Sequence, residues 1–559
     1  MHPMSLRRGI KLKATLGGIA SLTALLSRSS PGSDFPVYWI APLGEGFRAS
    51  AGDVDGDGFA DLLLTSGASP SSPQNAFVRS GVNGALLRTW TPSLPTFWAF
   101  QGNTDLKPAG DLNLDGFGDI ALSIMNPSNF SLGTPVEVRS GSDGSVMAMI
   151  PSPPVSNALV IGSSIAGVGD LDGDGFPELL IRGDYLLMGC FVGHGVYDFE
   201  GPGFGLQSFQ VAWQCSQEFG SQIGRLDDVD GDGLPDFYVG APRTSSGGLN
   251  DSGWIGIFSG ATGMLSFSLN GSSTSEYLGG SVAALSDVTG DGMPEIAVAR
   301  AGGINQVQVL SLPSFGVVYA LSAPTLVGEV DALGDADGDG LDDFLVRWST
   351  GVTGTPTYSE GITAISGPTG TVIGRLPQNL QFSFVYPWGA LGDVNGDGLG
   401  DFAATPGLFS FGTVPPIAVQ GLWSPWSWPN TDGVTTVYVA PNLGVVGTPA
   451  VGGTAQFQVV APKHAGRPFQ VVFSQEYASP ALPLGPFLFP LMPDAVLFAS
   501  LAAGIGGTLN ATGQGSVTVP VPNNPALQGL WLSASGVVYD PTGPLGIGCV
   551  LTQVGFQIQ

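Results

Sequence analysis

The sequence has few of the residues that hold structural zinc or form disulfide networks. Its 559 residues include three cysteines, Cys190, Cys215 and Cys549, with no C-x-x-C spacing. The odd number and the spacing exclude a structural zinc cluster. A disulfide between Cys190 and Cys215 and a set of small buried thiols are both compatible with the sequence.

Basic residues and long apolar runs are also scarce. Lys and Arg total 18 against 45 Asp and Glu, which gives a formal net charge of −27. The chain therefore has no basic patch for a phosphate backbone, and nucleic acid is excluded as a partner. After the N-terminal segment no uninterrupted apolar run reaches about 18 residues, so the sequence predicts no transmembrane span.

Residues that commonly carry catalysis are few. Beyond the N-terminal segment there are two histidines, His194 and His464, and neither lies near the Ser or Cys motif of a catalytic triad. We expect both histidines on the protein surface. No spacing identifies catalytic carboxylates or a Tyr and Arg site, so the sequence names no catalytic residue.

Glycine and proline, by contrast, are abundant. The sequence contains 86 Gly and 44 Pro, and only 11% of its residues are charged. This composition predicts many tight turns between apolar strands and disfavours helix nearly everywhere. We therefore expect an all-β protein.

A nine-residue acidic motif occurs seven times, at intervals of 48 to 59 residues. The first copy is "DVDGDGFAD" at residues 53–61, and the others begin at residues 111, 170, 228, 287, 335 and 393. Carboxylates this close repel one another unless a cation shares them, and alternating Asp with Gly at the sixth position suits a calcium loop. An Asx-rich turn without metal is the alternative.

Each position of the motif has an expected role. Positions 1, 3, 5 and 9 offer side-chain oxygens, position 7 offers its backbone carbonyl and can pack its apolar side chain inward, and Gly at position 6 permits the turn. We expect weaker sites in the second loop, with Asn113 and Leu114, and in the fifth, with Thr289. The predicted ligands of up to seven structural calcium ions are Asp53, Asp55, Asp57, Phe59, Asp61; Asp111, Asn113, Asp115, Phe117, Asp119; Asp170, Asp172, Asp174, Phe176, Glu178; Asp228, Asp230, Asp232, Leu234, Asp236; Asp287, Thr289, Asp291, Met293, Glu295; Asp335, Asp337, Asp339, Leu341, Asp343; and Asp393, Asn395, Asp397, Leu399, Asp401.

The loops differ from EF-hands. An EF-hand needs a bidentate Glu at its twelfth position and a helix on each side. The twelfth position is apolar in all seven copies, and the flanking segments are typical of short strands. Each loop is therefore predicted to be the turn of a β-hairpin.

The repeat period predicts the architecture. A second turn follows the start of several loops by about 24 to 31 residues, as in "VRSGVNGALL" and "IFSGATGMLS", which makes four strands per unit. Seven such units predict a seven-bladed β-propeller, since a parallel β-helix has much shorter repeats. "PPIAVQGLW" is the candidate third strand of the last unit, and the N-terminal "FPVYWIAPL" is expected to complete that blade.

The units resemble FG-GAP (VCBS-like) repeats, the blades of the integrin alpha-subunit propeller. The best copy, "FGSQIGRLDDVDGDGLPDFYVGAP" at residues 219–242, contains both the F-G and the G-A-P elements. The resemblance covers roughly residues 35–428 and implies calcium loops on one face and recognition loops on the other. Aromatic residues between units would pack between blades or contact a ligand: Phe97, Trp98, Phe100, Trp213, Phe384, Tyr386 and Trp388. The "RGD" at residues 182–184 is expected to be a chance occurrence.

The chain divides into three predicted segments. Residues 1–30 have a basic start and an apolar stretch, as in a signal peptide, with a disordered basic tail as the alternative. Residues 31–428 form the propeller. Residues 429–559 contain alternating strands such as "GTAQFQVVAP" and are predicted to form a β-sandwich. This last segment is similar to C-terminal domains of secreted bacterial repeat proteins, which implies a role in display, export or stability.

These features predict a secreted or cell-surface calcium-binding propeller. We expect it to act as a non-catalytic binding or adhesion module for a glycan or an extracellular protein. Two alternatives stay open: an extracellular polysaccharide lyase or hydrolase on a calcium-stabilised propeller, and a structural surface protein without a specific ligand.

Overall fold

The computed structural model describes residues 37–559 with internal gaps. The gaps are residues 43–44, 67–74, 92–98, 101–105, 126–134, 152–157, 186–192, 201–204, 212–216, 303, 323–325, 351–358, 377–382, 409–435, 439–441, 476 and 485–486. The predicted signal peptide, the possible Cys190–Cys215 pair, and "PPIAVQGLW" all lie outside the described residues.

The first four repeat units each form an antiparallel sheet. The N-terminal strand β1 (Val37–Ile40) comes before these units in the chain and belongs to the last sheet. The strands of the four units are β2 (Glu45–Gly52), β3 (Asp61–Ser66), β4 (Ala76–Arg79) and β5 (Leu86–Trp90); β6 (Ala99–Phe100), β7 (Leu106–Gly110), β8 (Asp119–Met125), β9 (Val136–Arg139) and β10 (Val146–Ile150); β11 (Ala158–Gly169), β12 (Glu178–Tyr185), β13 (Gly193–Glu200) and β14 (Gly205–Val211); and β15 (Gln222–Leu226), β16 (Asp236–Gly240), β17 (Trp254–Phe258) and β18 (Leu265–Asn270).

The remaining units continue this pattern. Their strands are β19 (Val282–Leu285), β20 (Glu295–Arg300), β21 (Gln306–Ser311) and β22 (Gly316–Ser322); β23 (Leu326–Gly334), β24 (Asp343–Thr350), β25 (Ser359–Ile365) and β26 (Val372–Leu376); and β27 (Ser383–Gly392), β28 (Asp401–Leu408) and β29 (Thr436–Tyr438). The all-β prediction is confirmed, and the repeated four-stranded antiparallel sheets are consistent with a propeller.

The N-terminal strand completes the last of these sheets, as the sequence predicts. β29 pairs with β28 on one side and with β1 on the other, so Val437 lies opposite both Ala403 and Trp39. β29 comes after the predicted segment boundary at residue 428. The third strand of this sheet is thus drawn from the range that the sequence assigns to the C-terminal segment.

Neighbouring sheets pack through the strands that directly precede the acidic loops. β2 contacts β7, β7 contacts β11, and the series continues through β15, β19, β23 and β27 back to β2. Apolar side chains fill the space between sheets. Ile257 of the fourth sheet and Val298 of the fifth share one buried cluster, and Leu64 of the first shares another with Ala403 of the seventh. Burying each such side chain contributes about 1.5–3 kcal/mol, so these contacts dominate the stability of the sheet array.

The described C-terminal part contains three further sheets, two of which enclose one apolar core. Its elements are β30 (Leu443–Val446), β31 (Thr454–Val460), β32 (Pro468–Ser474), β33 (Tyr477–Leu484), β34 (Phe487–Leu491), α1 (Ala495–Ala503), β35 (Gly506–Thr508), β36 (Gln514–Pro520), β37 (Trp531–Tyr539) and β38 (Ile547–Gln557), with short 3-10 turns at Pro462–His464, Pro525–Leu527 and Pro544–Gly546. Phe457 of the β30-β31-β36 sheet lies 5.2 Å from Phe473 and 5.4 Å from Phe556 of the β35-β32-β37-β38 sheet, measured between ring centroids.

One helix forms where the composition disfavours helix. α1 begins after Asp494, whose carboxylate accepts a 2.7 Å hydrogen bond from the Leu497 N–H, and it ends at Gly504 in the left-handed conformation. Its local sequence has both a capping residue and a C-terminal glycine, so the exception follows from ordinary helix signals. Within the described residues no helix is long and apolar enough to span a bilayer.

Closure of the last sheet by β29 can be tested with proline. Val437→Pro removes a backbone donor from a strand paired on both sides and leaves an acceptor unpaired, so we expect a loss of about 1–3 kcal/mol in unfolding free energy. Val372→Pro is the control, because Val372 is the first residue of edge strand β26 and tolerates proline better. Denaturant unfolding of both variants gives the comparison. Equal losses in the two variants would contradict the pairing of β29.

Candidate metal centres

All seven acidic loops connect the first and second strands of a sheet. The loop of residues 53–61 lies between β2 and β3, which pair antiparallel, and the same holds for the other six pairs of strands. The predicted β-hairpin position is therefore confirmed. At the same end of each regular sheet lies the turn between the third and fourth strands.

The first carboxylate of each loop organises the backbone around it. In the first loop, Asp53 Oδ1 accepts the Gly56 N–H at 2.7 Å and Asp53 Oδ2 accepts the Gly58 N–H at 2.9 Å. The fourth loop repeats these bonds at 2.6 and 2.8 Å. Since two backbone donors converge on one carboxylate, the loop is wound tightly and its acidic side chains face inward.

Positive φ angles at positions 4 and 6 complete the turn. Gly56 and Gly58 have φ angles of 76° and 88°, and six of the seven loops have glycine at both positions. In the second loop position 4 is Leu114, with φ 58° and a side chain that is 55% exposed. A non-glycine residue is strained in this conformation, and an exposed Leu gains little packing to offset the strain.

The ninth carboxylate connects two parts of each unit. Asp61 is fully buried, with Oδ2 accepting the Val54 N–H at 2.9 Å and Oδ1 accepting the Gly81 N–H of the second turn at 3.1 Å. The equivalent bonds to the second turn come from Gly141, Gly260 and Gly367 in three other units. This carboxylate therefore holds the acidic loop to the neighbouring turn.

The second turn needs glycine for a steric reason. A Cβ on Gly81 would lie 1.9 Å from the Ala60 carbonyl oxygen, and one on Gly367 would lie 1.9 Å from that of Asp342. The "SG" of each second turn is thus part of the loop assembly. The sequence analysis predicts this segment only as a hairpin turn. The glycine recurs about 20 to 24 residues after the ninth carboxylate, and this spacing links the second turn to the acidic loop.

In five loops, carboxylate oxygens converge within 4.8 Å of one another. The groups are Asp170, Asp172, Asp174 and Glu178; Asp53, Asp55 and Asp57; Asp228, Asp230 and Asp236; Asp287, Asp291 and Glu295; and Asp335, Asp337 and Asp339. An all-oxygen, mostly anionic donor set of this kind fits a hard divalent cation such as calcium. Thr289 does not prevent convergence in the fifth loop.

The second and seventh loops differ from these five. Both have Asn at position 3, Asn113 and Asn395, whose Oδ1 atoms accept the N–H of position 5 at 3.0 Å. Where position 3 is Asp, as in Asp55, the other terminal atom of the side chain is a second carboxylate oxygen. In these two loops it is an amide nitrogen, which cannot bind a cation. Each of the two sites therefore has one carboxylate fewer, with the Asn carbonyl oxygen as the remaining ligand atom at position 3.

The apolar residue at position 7 contacts the preceding loop. Phe117 lies over Gly56, where a Cβ would approach it to 2.7 Å, and Phe59 lies over Gly396 at 2.6 Å. The sequence predicts only that this side chain can pack inward. In these two loops the structure places the ring on a glycine of the preceding loop, where the missing Cβ leaves room for it.

Burial raises the pKa values of several loop carboxylates. The pKa of Asp61 is raised to about 8 and that of Asp343 to about 7, and desolvation is the main cause in both. Neighbouring carboxylates add to the effect. The pKa of Asp57 is raised to about 6, first by burial and then by repulsion from Asp55 and Asp53. Without a cation, these loops thus disfavour their fully ionised state.

Other residues singled out in the sequence have structural roles. Trp388 packs in an apolar cluster and its Nε1–H donates to Glu329 at 3.2 Å. Phe97, Trp98 and Trp213 lie outside the described residues, and the side chains of Phe100, Phe384 and Tyr386 are not described. The "RGD" triplet lies within β12, which pairs on both sides with β11 and β13, as expected of a chance occurrence.

The surface position expected for His464 is wrong. Its side chain is 6% exposed, and Nε2 lies 2.7 Å from the Gly396 carbonyl oxygen of the seventh loop. The contact spans 68 residues of sequence, which local reasoning could not anticipate. Cys549 is a free, buried thiol, and the side chain of His194 is not described.

Comparison with known proteins agrees with the motif analysis. Residues 46–80 match the FG-GAP repeat family. A 150-residue stretch is 29% identical to integrin alpha-PS5 of Drosophila melanogaster; it covers 24% of this chain and 14% of that protein. Two solved structures of BBS1N in complex with ARL6DN are also similar to this chain. The crystal soaked with mercury is 11% identical with a TM-score of 0.43, and the one soaked with lead is 10% identical with a TM-score of 0.41. Each match covers 74% of this chain and 95% of the matched chain.

The sheets and loops define an all-β repeat protein of propeller-like architecture. More particularly, it contains an FG-GAP repeat at residues 46–80 and is similar over part of its length to an integrin alpha subunit. The matched stretch is a small part of the integrin relative, so the activity and partners of that whole protein do not transfer directly.

The raised pKa values predict how stability depends on pH without metal. A carboxyl group whose folded pKa exceeds its unfolded value contributes stability at low pH that is lost as pH rises through the folded pKa. In excess chelator, the melting temperature should therefore fall as pH rises from about 5.5 to 8.5, the window around the pKa values of Asp57, Asp343 and Asp61. With saturating calcium the fall should disappear. A calcium-free protein that is more stable at pH 8.5 than at pH 5.5 would contradict the raised pKa values of these loop carboxylates.

The strain at Leu114 predicts a stabilising substitution. Leu114→Gly relieves a left-handed conformation that costs roughly 1–2 kcal/mol, partly offset by the greater freedom of glycine in the unfolded chain, so we expect a net gain of about 0.5–1 kcal/mol. Leu114→Ala is the control, since it removes the side chain but keeps the strain. Chemical denaturation measures both. A gain of equal size with alanine would assign the effect to the exposed side chain instead of the backbone.

Proposed function

We propose that the chain is an extracellular or cell-surface binding module built on a calcium-stabilised, seven-bladed β-propeller. The single observation that carries the proposal is the repeated pairing of an acidic loop with a four-stranded sheet in an FG-GAP protein. The module is non-catalytic in this proposal, and its ligand is an extracellular protein or a glycan. Similarity to an integrin alpha subunit supports the binding role and the extracellular location.

The blade count rests on the order of contacts between sheets. Seven first strands contact one another in sequence, and the last returns to the first. Phe59 of the first loop against Gly396 of the seventh gives the same order at the loop end. We place the end of the propeller after Tyr438, because β29 completes the seventh sheet. A C-terminal β-sandwich then follows, supported by the two sheets around Phe457.

Calcium binding is proposed from the donor sets. Five loops offer three or four converging carboxylates each. In the first and sixth loops, the raised pKa values of Asp57 and Asp343 indicate that burial and mutual repulsion oppose ionisation when no metal is bound. A divalent cation would neutralise this charge. Bound to the folded state alone, it would stabilise the protein by mass action. The residues that would hold these ions are the side-chain oxygens at positions 1, 3, 5 and 9, together with the position 7 carbonyl.

The proposed ligand surface lies at the opposite end of the sheets. In the fourth sheet, residues 241–253 connect β16 to β17, and this connection lies at the other end from the acidic loop of residues 228–236. Arg243 anchors it: Arg243 Nε donates to Glu218 Oε1 at 2.8 Å, and the guanidinium lies 5.7 Å from the Tyr277 ring centroid. Asn250 of the same connection is exposed. The surface thus combines a rigid base with accessible polar groups.

Binding can be tested with a panel of polysaccharides and extracellular-matrix proteins. The mature chain is incubated with each, in calcium and in chelator, and both retention and breakdown products are recorded. We expect calcium-dependent retention of at least one intact ligand. Release of oligosaccharides would overturn the non-catalytic proposal in favour of a polysaccharide lyase or hydrolase. No retention on any member would favour a purely structural surface protein.

A matched pair of substitutions locates the surface. Asn250→Arg places a bulky charge on the connection between β16 and β17, and Ala261→Arg places the same group on the exposed turn at the acidic-loop end. We expect the first to weaken retention at least tenfold and the second to leave it within twofold. The reverse order would place the ligand on the loop face.

A further inference from the structure

The seventh acidic loop is covered, whereas the position-5 carboxylates of the other six loops are exposed. Asp397 at position 5 is fully buried, and Asn395 at position 3 is 1% exposed. The equivalent carboxylates are exposed in the other loops: Asp57, Asp115, Asp174, Asp232, Asp291 and Asp339. Residues that follow β29 in the chain cover this loop.

Asn442 supplies the donor that the seventh unit lacks. In other units a serine of the second turn approaches the position-5 carboxylate, as Ser142 Oγ does to Asp115 Oδ2 at 2.7 Å. The seventh unit has no such turn in its sequence. Asn442 Nδ2 donates instead to Asp397 Oδ2 at 2.7 Å. Asn442 is in turn fixed to β38, since its backbone N–H donates to Thr552 Oγ1 at 3.1 Å.

Two further side chains reach the loop from the 3-10 turn at Pro462–His464. Lys463 Nζ lies 3.7 Å from Asp393 Oδ2 and 4.9 Å from the centroid of the Phe59 ring. His464 Nε2–H donates to the Gly396 carbonyl at 2.7 Å. The contact is tight: a Cβ on Gly398 would lie 2.8 Å from the Lys463 backbone nitrogen. The Lys463 ammonium and the hydrogen-bond donors of His464 and Asn442 therefore meet the loop from the C-terminal part.

The contact continues onto the neighbouring loops. Val82 of the first unit shares a buried cluster with Ile547 and Val550 of the C-terminal part. On the other side, a Cβ on Gly338 of the sixth loop would lie 2.6 Å from Val460 Cγ1. The C-terminal sheets thus pack across three consecutive loops with the seventh at the centre.

The donor set of the seventh loop no longer suits calcium. Asn395 stands where four of the other loops have Asp, and its amide nitrogen has no hydrogen-bond partner among the described residues. The carboxylates of this loop are not among the groups of described side chains that converge within 4.8 Å of one another. Asp397 is buried, and its Oδ2 accepts a hydrogen bond from Asn442 Nδ2. The loss of one carboxylate and the lack of convergence disfavour a bound calcium ion.

We propose that the seventh loop is the docking site of the C-terminal sheets and takes the Lys463 ammonium, not a calcium ion, as its counter-charge. The loop and its cover form a permanent internal interface. The array of seven sheets would then have one acidic loop whose stability does not depend on calcium.

The first test counts calcium ions bound by the full chain. Bound calcium is measured by equilibrium dialysis for the wild type, for Asp393→Asn at position 1 of the seventh loop, and for the matched Asp170→Asn at position 1 of the third loop. We expect Asp170→Asn to lose one ion per chain and Asp393→Asn to lose none. Loss of one ion in Asp393→Asn would overturn the proposal. If Asp170→Asn loses none, the calcium proposal for the loops fails, and the seventh loop is judged on Lys463 alone.

The second test measures the contribution of Lys463. Lys463→Met should lower the melting temperature by about 1 °C, equally in calcium and in chelator, because the ammonium acts without the metal and the ion pair is half exposed. Lys463→Arg, which keeps the charge, should restore most of the loss. A melting temperature that is unchanged in Lys463→Met, or lowered only in calcium, would contradict the assignment of Lys463 as the counter-charge.

Discussion

The buried carboxylate at the ninth position of each acidic loop is the contact on which the rest of the unit depends. It accepts one backbone N–H from its own loop, as Asp61 does from Val54, and in several units a second from the next turn. Leaving either donor unpaired in a buried site would cost about 1–3 kcal/mol. This requirement fixes the distance between the two turns at one end of the sheet and makes the loop end a rigid assembly.

Charge and packing act together at that end. Burial and repulsion raise the pKa of Asp57 in the first loop, while Phe117 and Phe59 each pack over a glycine of the preceding loop. The C-terminal sheets cover part of the loop end, near Asp397 and Val82. This contact agrees with the proposal that a ligand binds at the opposite end of the sheets.

The sequence predicts the parts of this structure that depend on local patterns. The seven hairpin loops, the left-handed glycines and the joining of the N-terminal strand to the last sheet all follow from motif, spacing and count. Contacts between distant segments do not. Asn442 replaces a serine donor across a change of segment, and His464 is buried against Gly396, 68 residues away. The order of apolar and polar residues around Asn442 and His464 gives no sign of either contact.

The central claim is that cations hold together loops whose own charges oppose folding. Calorimetric melting of the full chain at neutral pH, in millimolar calcium and then in excess chelator, tests it most directly. The account predicts a large, calcium-dependent rise in melting temperature, since about 2.7 kcal/mol is gained for each site saturated at a hundred times its dissociation constant. An identical melting temperature in calcium and chelator would contradict it.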